Sequence, residues 1–255
     1  MRMVIKVGTS TLTYKTGKLN IRAFEELTKV IANLKNSGIE VILVSSGAIG
    51  MGVGKLGLSS RPDDIPTKQA SAAVGQCELM YMYDKYFGEY HHTVAQMLIT
   101  ANDFEDKEKH ANLANTLARL LELQALPIVN ENDTVSTAEL SIGDNDTLSA
   151  LVAIDAKADM LVLVSDIEGL YTADPHKDKN AKLISVVDNV DDVLSLGEDT
   201  VSVLGTGGMS TKLQAAKLVT EAGIDMVIIN GSNPLSLYDV AEGKNIGTKF
   251  FGKKK

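Results

Sequence analysis

Short apolar segments alternate with amphipathic segments along the whole chain of 255 residues. The apolar segments have the length of strands, and several are apolar without interruption, as parallel strands covered on both faces are. They are Met3–Val7, Glu40–Val44, Thr93–Ile99, Leu126–Asn130, Met160–Ser165 and Asp225–Ile229. Strands that alternate with helices predict an α/β protein, a three-layer α/β/α sandwich with a mostly parallel central sheet.

Between these strands, apolar residues recur at intervals of three and four, which is the period of a helix with one buried face. One stripe comprises Ile21, Phe24, Leu27, Ile31 and Leu34, another Leu113, Leu117, Leu120 and Leu121, and a third begins with Leu148, Leu151 and Val152. We interpret all three stripes as core. Ligands of parallel sheets collect at the carboxyl ends of the strands, so the segments that follow the strands are the candidates for function.

Composition excludes several classes of protein. The formal net charge of −8 argues against a nucleic-acid-binding surface. No apolar run approaches the roughly 18 residues of a membrane-spanning helix, and the charged start does not have the pattern of a signal peptide. Cys77 is the only cysteine, so we expect no intrachain disulfide and a cytoplasmic location. The four histidines have no metal-site spacing, and no metal-ligating residue is predicted.

A glycine-rich turn, Gly205–Lys212, runs into a predicted helix that begins near Met209. It is not a P-loop, because Lys212 follows Thr211 instead of a glycine, and it does not fit the dinucleotide-binding fingerprint. By itself the segment could be an ordinary turn between two elements. The alternative is a phosphate site, in which glycines expose backbone N–H groups and the positive end of the helix faces the anion.

Lys6 lies within the otherwise apolar first strand and is followed by Gly8. One interpretation places this strand at the edge of the sheet, with Lys6 extending outward into water. The other makes Lys6 a cation at the carboxyl end of a strand, beside a glycine turn that lets a phosphate approach. The segment alone favours neither.

Ser45, Ser46 and Gly47 follow the second strand in the same way and could offer hydroxyl and N–H groups to an anion. A plain helix N-cap would explain one serine but not two, nor the glycines at 47, 50 and 52. The segment is not a Gly-x-Ser-x-Gly motif and no histidine pairs with it at a readable position, which argues against a serine nucleophile.

Two polar clusters bracket one loop: Asn130–Asp133 ends a strand, and Gly143–Asp146 opens a helix. They could be a turn and an N-cap. They could also bind an ammonium group, with one carboxylate orienting lysines, and two clusters around one loop favour this second interpretation. After the fifth strand, Asp166 and Tyr171 are candidates to contact a base or ribose, on weaker grounds.

Taken in order, these segments resemble the amino acid kinase family. The motifs that carry the resemblance are Lys6–Ser10, Ser45–Ile49, Asn130–Asp133, Gly143–Asp146, Gly169–Pro175 and Gly205–Lys212. Each motif is modest by itself, but the ordered set is highly specific and runs from Ile5 to about Gly247. A dehydrogenase would need its glycine fingerprint after the first strand, where Gly8 stands alone, and a non-catalytic sensor would be expected to lack the lysines.

The resemblance is closest to the family members that phosphorylate the γ-carboxylate of L-glutamate. It therefore implies an ATP-dependent kinase with a carboxyl acceptor, acting at the first step of proline biosynthesis from glutamate, with Mg²⁺ on the nucleotide. It also implies a homo-oligomer and feedback inhibition by proline at or near the glutamate site.

The resemblance also implies a role for each matched residue. Lys6 and Lys212 would flank the transferring phosphoryl group, and Asp146 would hold both lysines in place. Ser46, Asp133 and Asn145 would bind glutamate. The residues implied for ATP are Ser165, Asp166, Thr206, Gly207, Gly208, Met209, Ser210, Thr211 and Lys212.

We expect a single kinase domain over residues 1–255, with an N-terminal lobe of about 1–157 on the glutamate side and a C-terminal lobe of about 158–255 on the nucleotide side. Many relatives carry a PUA domain after the kinase domain. The chain ends at Lys255, so the expectation is a form without that domain.

Overall fold

A computed structural model describes residues 1–14, 16–136, 144–175, 177–197 and 208–253. In these ranges the strands are β1 (Arg2–Val7), β2 (Glu40–Ser45), β3 (Val94–Ile99), β4 (Leu126–Glu131), β5 (Met160–Ser165), β6 (Leu170–Tyr171), β7 (Leu183–Ile184), β8 (Val186–Val187), β9 (Asp225–Asn230) and β10 (Thr248–Phe250). The helices are α1 (Thr9–Leu12), α2 (Ile21–Asn36), α3 (Ala48–Leu56), α4 (Ile65–Gly88), α5 (Ala101–Glu105), α6 (Lys107–Glu122), α7 (Asn145–Asp155), α8 (Met209–Glu221) and α9 (Ser236–Ala241), with a 3₁₀ helix at Val190–Gly197.

The main sheet of the described residues has the strand order β3-β4-β2-β1-β5-β9-β10-β8. The first six strands in this order run parallel to one another, β10 is antiparallel to β9, and β8 is parallel to β10. β6 and β7 form a separate antiparallel pair. The six strands predicted from the sequence are all present, and the predicted fold class is confirmed.

Two apolar cores lie on opposite faces of the sheet. One core is contributed by α6, α7, α8 and the 3₁₀ helix, and we call this side the α7/α8 face. The other is contributed by α1, α2, α3, α4 and α9, and we call it the α2/α4 face. The three stripes predicted as core lie on α2, α6 and α7, and most of their residues pack in these two cores. The prediction is wrong for Ile21, which is 57% exposed at the first position of α2, and Leu151 is only partly buried.

β1 lies in the interior of the sheet, paired with β2 on one side and β5 on the other. The edge-strand interpretation of Lys6 is therefore wrong. Because side chains alternate along a strand, Val4 belongs to the core of the α7/α8 face, whereas Met3 and Ile5 belong to the core of the α2/α4 face. Lys6 continues the Val4 side, so its side chain extends toward α7 and α8.

The carboxyl ends of the central strands meet at one edge of the sheet. Val7 is in register with Ser45 of β2 and with Val164 of β5, while Ile99 of β3 pairs with Glu131 of β4. The polar segments that follow these strands in the sequence are therefore neighbours in space. No helix among the described residues has both the length and the apolar character that crossing a membrane would require.

Candidate active site

A buried carboxylate lies between two lysines at this edge of the sheet. Asp146 Oδ1 is 2.6 Å from Lys6 Nζ, and Asp146 Oδ2 is 3.0 Å from Lys212 Nζ. Asp146 is 0% exposed, Lys6 9% and Lys212 6%. Three residues that are far apart in the sequence thus form one cluster, and we call it the Lys–Asp–Lys cluster.

The start of α7 places Asp146 in this position. The Oδ1 atom of Asp144 accepts hydrogen bonds from the backbone N–H groups of Asp146, at 2.7 Å, and Thr147, at 2.9 Å. Asp144 is therefore the N-cap of α7. The carboxylate of Asp146 takes no part in capping and is directed at the two lysines.

The start of α8 supplies the other side of the cluster. Its N-cap is Gly208, which has no side chain that could cap the helix. The hydroxyl of Thr211 lies 3.0 Å from Asp146 Oδ2 and 2.9 Å from the carbonyl oxygen of Gly208. A helix N-terminus without a side-chain cap is a favourable place for an anion, so the first turn of α8 suits a phosphate beside Lys212.

The electrostatics of Asp146 are dominated by its two partners. Burial disfavours the charged form, but the ammonium groups of Lys6 and Lys212 outweigh it and lower the pKa of Asp146 to about 2. Asp146 is therefore ionised at neutral pH. Two cations and one anion leave a net positive charge in the cluster.

A cavity of about 370 Å³ adjoins Asn145, the residue before Asp146. All three residues predicted to bind the amino acid line it: Ser46, Asp133 and Asn145. Asn130 lines it as well. The cavity therefore brings together the end of β2, the end of β4 and the start of α7, as expected from the two polar clusters.

Hydrogen bonds order the polar side chains of this cavity. The Nδ2 atom of Asn145 donates to Ser46 Oγ at 2.8 Å and to Asn130 Oδ1 at 3.0 Å. The Oδ1 atom of Asn145 is buried and has no hydrogen-bond partner among the described residues. An unpaired acceptor next to a cavity suits an N–H donor of a ligand.

Asp133 lies in a less polar environment than a surface carboxylate. Burial and the negative charge of Glu131 raise the pKa of Asp133 to about 6, and Arg61 partly offsets this. Arg61 also lines the cavity, from the loop between α3 and α4. Arg61 lies outside the glycine-rich segments and the family motifs, so no pattern in the sequence marked it as part of the site.

The turn after β2 requires a glycine. Gly47 is the N-cap of α3 and has a φ of +108°, in the left-handed region that residues other than glycine rarely adopt. The backbone N–H of Ser46, just before it, donates to the carbonyl oxygen of Val7 at 3.0 Å. This bond ties the Ser46 turn to the end of β1, beside Lys6.

The segments predicted to bind the nucleotide lie in two places. Ser165 and Asp166 line a second cavity of about 580 Å³, where Ser165 Oγ lies 3.2 Å from Asp166 Oδ1. Residues 208–212 do not line that cavity; instead Thr211 and Lys212 contact Asp146, and the carbonyl oxygen of Gly208 accepts a hydrogen bond from Thr211. Thr206 and Gly207 lie outside the described residues.

No group of three or more histidine, cysteine or carboxylate side chains within the described ranges is arranged to hold a metal ion.

Comparison with known proteins gives a consistent set of similarities. The model of the amino acid kinase family matches residues 1–230. The glutamate 5-kinase of Clostridium tetani is 51% identical over 249 residues, covering 97% of this chain and 93% of the relative. The glutamate 5-kinase of Caldanaerobacter subterraneus subsp. tengcongensis is 50% identical over 251 residues, covering 98% of this chain and 68% of the relative. Among solved structures, the UMP kinase of Bacillus anthracis has the same fold, with a TM-score of 0.69 at 17% sequence identity. The match covers 99% of this chain and 96% of the UMP kinase chain.

Proposed function

We propose, because this chain belongs to the amino acid kinase family, that it transfers the γ-phosphoryl group of ATP to the γ-carboxylate of L-glutamate. The product is L-glutamyl 5-phosphate, the first intermediate of proline biosynthesis from glutamate. The similarity to glutamate 5-kinases extends over nearly the whole chain. The structural observation that carries the proposal is the buried Lys–Asp–Lys cluster beside a polar cavity.

The acceptor needs no general base. A glutamate side chain has a pKa of about 4.3 and is already ionised at neutral pH. The task of the protein is therefore to bring an anionic carboxylate to an anionic phosphate and to stabilise the charge of the transferring group.

We assign that stabilisation to Lys6 and Lys212. They approach from different elements, β1 and α8, and the single carboxylate of Asp146 fixes the position of both ammonium groups. Charged donors that are fixed before the reaction stabilise developing charge without reorganisation. The net positive charge of the cluster suits a phosphoryl group that passes between the two lysines.

We assign the α-ammonium group of glutamate to Asp133 and to the Oδ1 atom of Asn145. Asp133 supplies a carboxylate at the cavity, and Asn145 Oδ1 is an acceptor without a protein partner in the described part of the chain. The hydroxyl of Ser46 lines the same cavity. These groups would orient glutamate with its side chain toward Lys6.

We assign the nucleotide to Ser165, Asp166 and the segment Thr206–Lys212. Mg²⁺ would arrive with ATP and be held by phosphate oxygens and water, because the described residues offer no carboxylate cage for it. When bound, the ion neutralises charge on the phosphates.

The proposal extends to four further properties implied by the family resemblance: a cytoplasmic location, a homo-oligomer, feedback inhibition by proline at or near the glutamate site, and lobes of about 1–157 and 158–255. With this division, Lys6 and Asp146 would lie in the first lobe and Lys212 in the second, so the cluster would join the two lobes.

The direct test is incubation with L-glutamate, Mg²⁺ and ATP labelled at the γ-phosphate, with hydroxylamine as the trap. We expect glutamyl hydroxamate and ADP in equal amounts, both dependent on glutamate. Absence of hydroxamate from a folded protein would overturn the proposal, and it would separate a kinase from a dehydrogenase or an amino-acid sensor.

Lys212 provides the sharpest test of the catalytic assignment. Lys212→Ala removes a buried charged donor, so we expect kcat to fall by roughly 10²-fold or more, with a much smaller rise in the glutamate KM. Lys217→Ala is the matched control: Lys217 is on the same helix but 43% exposed, and it pairs with Asp191 at the surface. Near-normal kcat in Lys212→Ala would refute the assignment.

A further inference from the structure

A polar residue interrupts the buried stripe of α4. Ala72, Leu79, Tyr83 and Phe87 of this helix are buried, and Gln76 lies on the same stripe with 7% exposure. A buried amide costs free energy unless it is hydrogen-bonded. Gln76 therefore needs a hydrogen-bond partner inside the protein.

Gln76 contacts the end of β4. Its Oε1 atom accepts a hydrogen bond of 2.9 Å from Nδ2 of Asn130, which is 2% exposed. The orientation of the Asn130 amide is not ambiguous, because the backbone N–H of Glu131 donates to Asn130 Oδ1 at 2.9 Å and only an oxygen can accept that bond. The nitrogen of Asn130 must therefore face Gln76.

The same oxygen of Asn130 orients Asn145. Asn130 Oδ1 accepts a second bond, of 3.0 Å, from Asn145 Nδ2, and this nitrogen also donates to Ser46 Oγ at 2.8 Å. Asn145 thus directs its nitrogen at protein acceptors and leaves its Oδ1 unpaired within the described residues. A chain of three amides, Gln76, Asn130 and Asn145, ends at an unpaired acceptor beside the cavity.

We propose that Gln76 is a positioning residue that sets the preference of the site for a substrate with an α-ammonium group. The inference rests on the proposed function, since it takes glutamate as the ligand of the cavity. Asn145 can accept a hydrogen bond from an ammonium group only if its oxygen is presented; a rotated amide would present N–H donors instead. Gln76 does not line the cavity, and it acts through Asn130.

The test compares glutamate with glutarate, which has both carboxylates but no amino group. In Gln76→Met the buried NH₂ of Asn130 loses its acceptor, so the network that orients Asn145 loosens. We expect the glutamate KM to rise about tenfold, while the Ki of glutarate as a competitive inhibitor and the ATP KM stay within about twofold. An equal rise of the glutamate KM and the glutarate Ki, or no change in either, would overturn the inference.

Ser71→Ala is the matched control. Ser71 is buried in the same helix, and its hydroxyl has no hydrogen-bond partner within the described ranges, so its loss should leave both constants unchanged. If Gln76→Met does not fold, Gln76→Glu tests the same point, because it keeps an oxygen toward Asn130 and should retain the wild-type preference. A tenfold loss of preference in a folded Gln76→Glu protein would overturn the inference.

The activity of the wild-type protein distinguishes a failure of the proposed function from a failure of the role of Gln76. A wild type that forms no glutamyl hydroxamate would overturn the proposed function and this inference together. An active wild type with unchanged selectivity in Gln76→Met would overturn the inference alone.

Discussion

The two ammonium groups at Asp146 distinguish this site from a structural ion pair. One lysine would be enough to neutralise a buried carboxylate, yet Lys6 and Lys212 both lie within 3.0 Å of it. Burying a second cation adds desolvation cost without improving the charge balance. The arrangement becomes favourable when an anion such as a phosphoryl group joins the cluster.

Asp146→Asn tests whether the carboxylate organises the lysines. The substitution keeps the size of the side chain but removes the carboxylate that contacts both buried lysines, so we expect kcat to fall by roughly 10²-fold and the free energy of unfolding to fall by about 3 kcal/mol. Steady-state kinetics and a thermal melt measure both. Asp106→Asn is the control, because Asp106 caps α6 and asparagine is an equally good cap. Full activity of Asp146→Asn would contradict the assignment.

The raised pKa of Asp133 leads us to expect that glutamate binding depends on pH. Burial and the charge of Glu131 raise the pKa of Asp133 to about 6, so much of it is protonated at pH 5 and ionised above pH 7. Only the ionised form attracts an ammonium group. At saturating ATP, we therefore expect the glutamate KM to fall about tenfold from pH 5 to pH 7 and then level off.

Asp133→Asn is the matched variant for this prediction. It should show a raised glutamate KM with little dependence on pH over the same range, because the titrating group is gone. The same pH change has opposite effects on glutamate binding and on folding. Because the pKa of Asp133 is raised in the folded state, the contribution of Asp133 to the free energy of unfolding decreases as the pH rises toward 6. A wild-type KM that is flat between pH 5 and pH 7 would count against the role of Asp133.

At the scale of elements, the wall of the proposed glutamate cavity depends on how closely α3 and α4 approach each other. A Cβ atom on Gly75 of α4 would lie 1.8 Å from the carbonyl oxygen of Ala48, and one on Gly52 of α3 would lie 1.8 Å from that of Ser71. The two helices therefore meet backbone to backbone. α3 follows the Ser46–Gly47 turn and α4 carries Gln76, so this contact sets the spacing of residues on both sides of the cavity.

Gly75→Ala should separate these two helices. We expect the free energy of unfolding to fall by about 2–3 kcal/mol, as for overpacked cores, and the glutamate KM to rise. Gly88→Ala, in the same helix, is the control: its Cβ would meet nothing within 4 Å, and its stability should stay equal or increase slightly. Urea unfolding and kinetics measure the two effects. A Gly75→Ala protein as stable as Gly88→Ala would show that the contact yields at no cost.

At the scale of the whole molecule, residues from distant parts of the chain lie together at the carboxyl ends of the central strands. β1, β2, β4 and β5 end side by side, and the starts of α3 and α7 face them. α8 then brings Lys212 to the cluster on the α7/α8 face. The site thus joins both proposed lobes, and ligands that bind across it should stabilise the entire fold.

Metal removal should affect the reaction but not the folded protein. EDTA should abolish phosphoryl transfer and excess Mg²⁺ should restore it, because we propose that the ion enters with the nucleotide. Without nucleotide, EDTA should leave Tm unchanged within about 1 °C, since the described residues hold no metal-binding cluster. MgATP with glutamate at about 100 times their dissociation constants should raise Tm by roughly 5 °C or more. A fall of several degrees in EDTA alone would indicate a structural metal.

The sequence by itself determined the layers of the molecule and much of the site. Strand and helix periods are local properties, so β1, β2, β3, β4, β5 and β9 were predicted with ends within a residue or two. The match to the family motifs predicted Lys6, Asp146 and Lys212 as site residues. In the structure both lysines contact Asp146. Of the residues predicted to bind the amino acid, all three line one cavity.

The tertiary structure decided what no local pattern encodes. Continuously apolar strands do not reveal their order in the sheet, so only the pairing of β1 with β2 and β5 showed that Lys6 is interior. No local pattern pairs Gln76 with Asn130, because the two residues are 54 positions apart in the sequence. Arg61 likewise lines the same cavity as Asp133, from the loop between α3 and α4, and its charge lowers the pKa of that carboxyl. Such contacts depend on strand order and helix packing, because these bring together residues that local propensity treats independently.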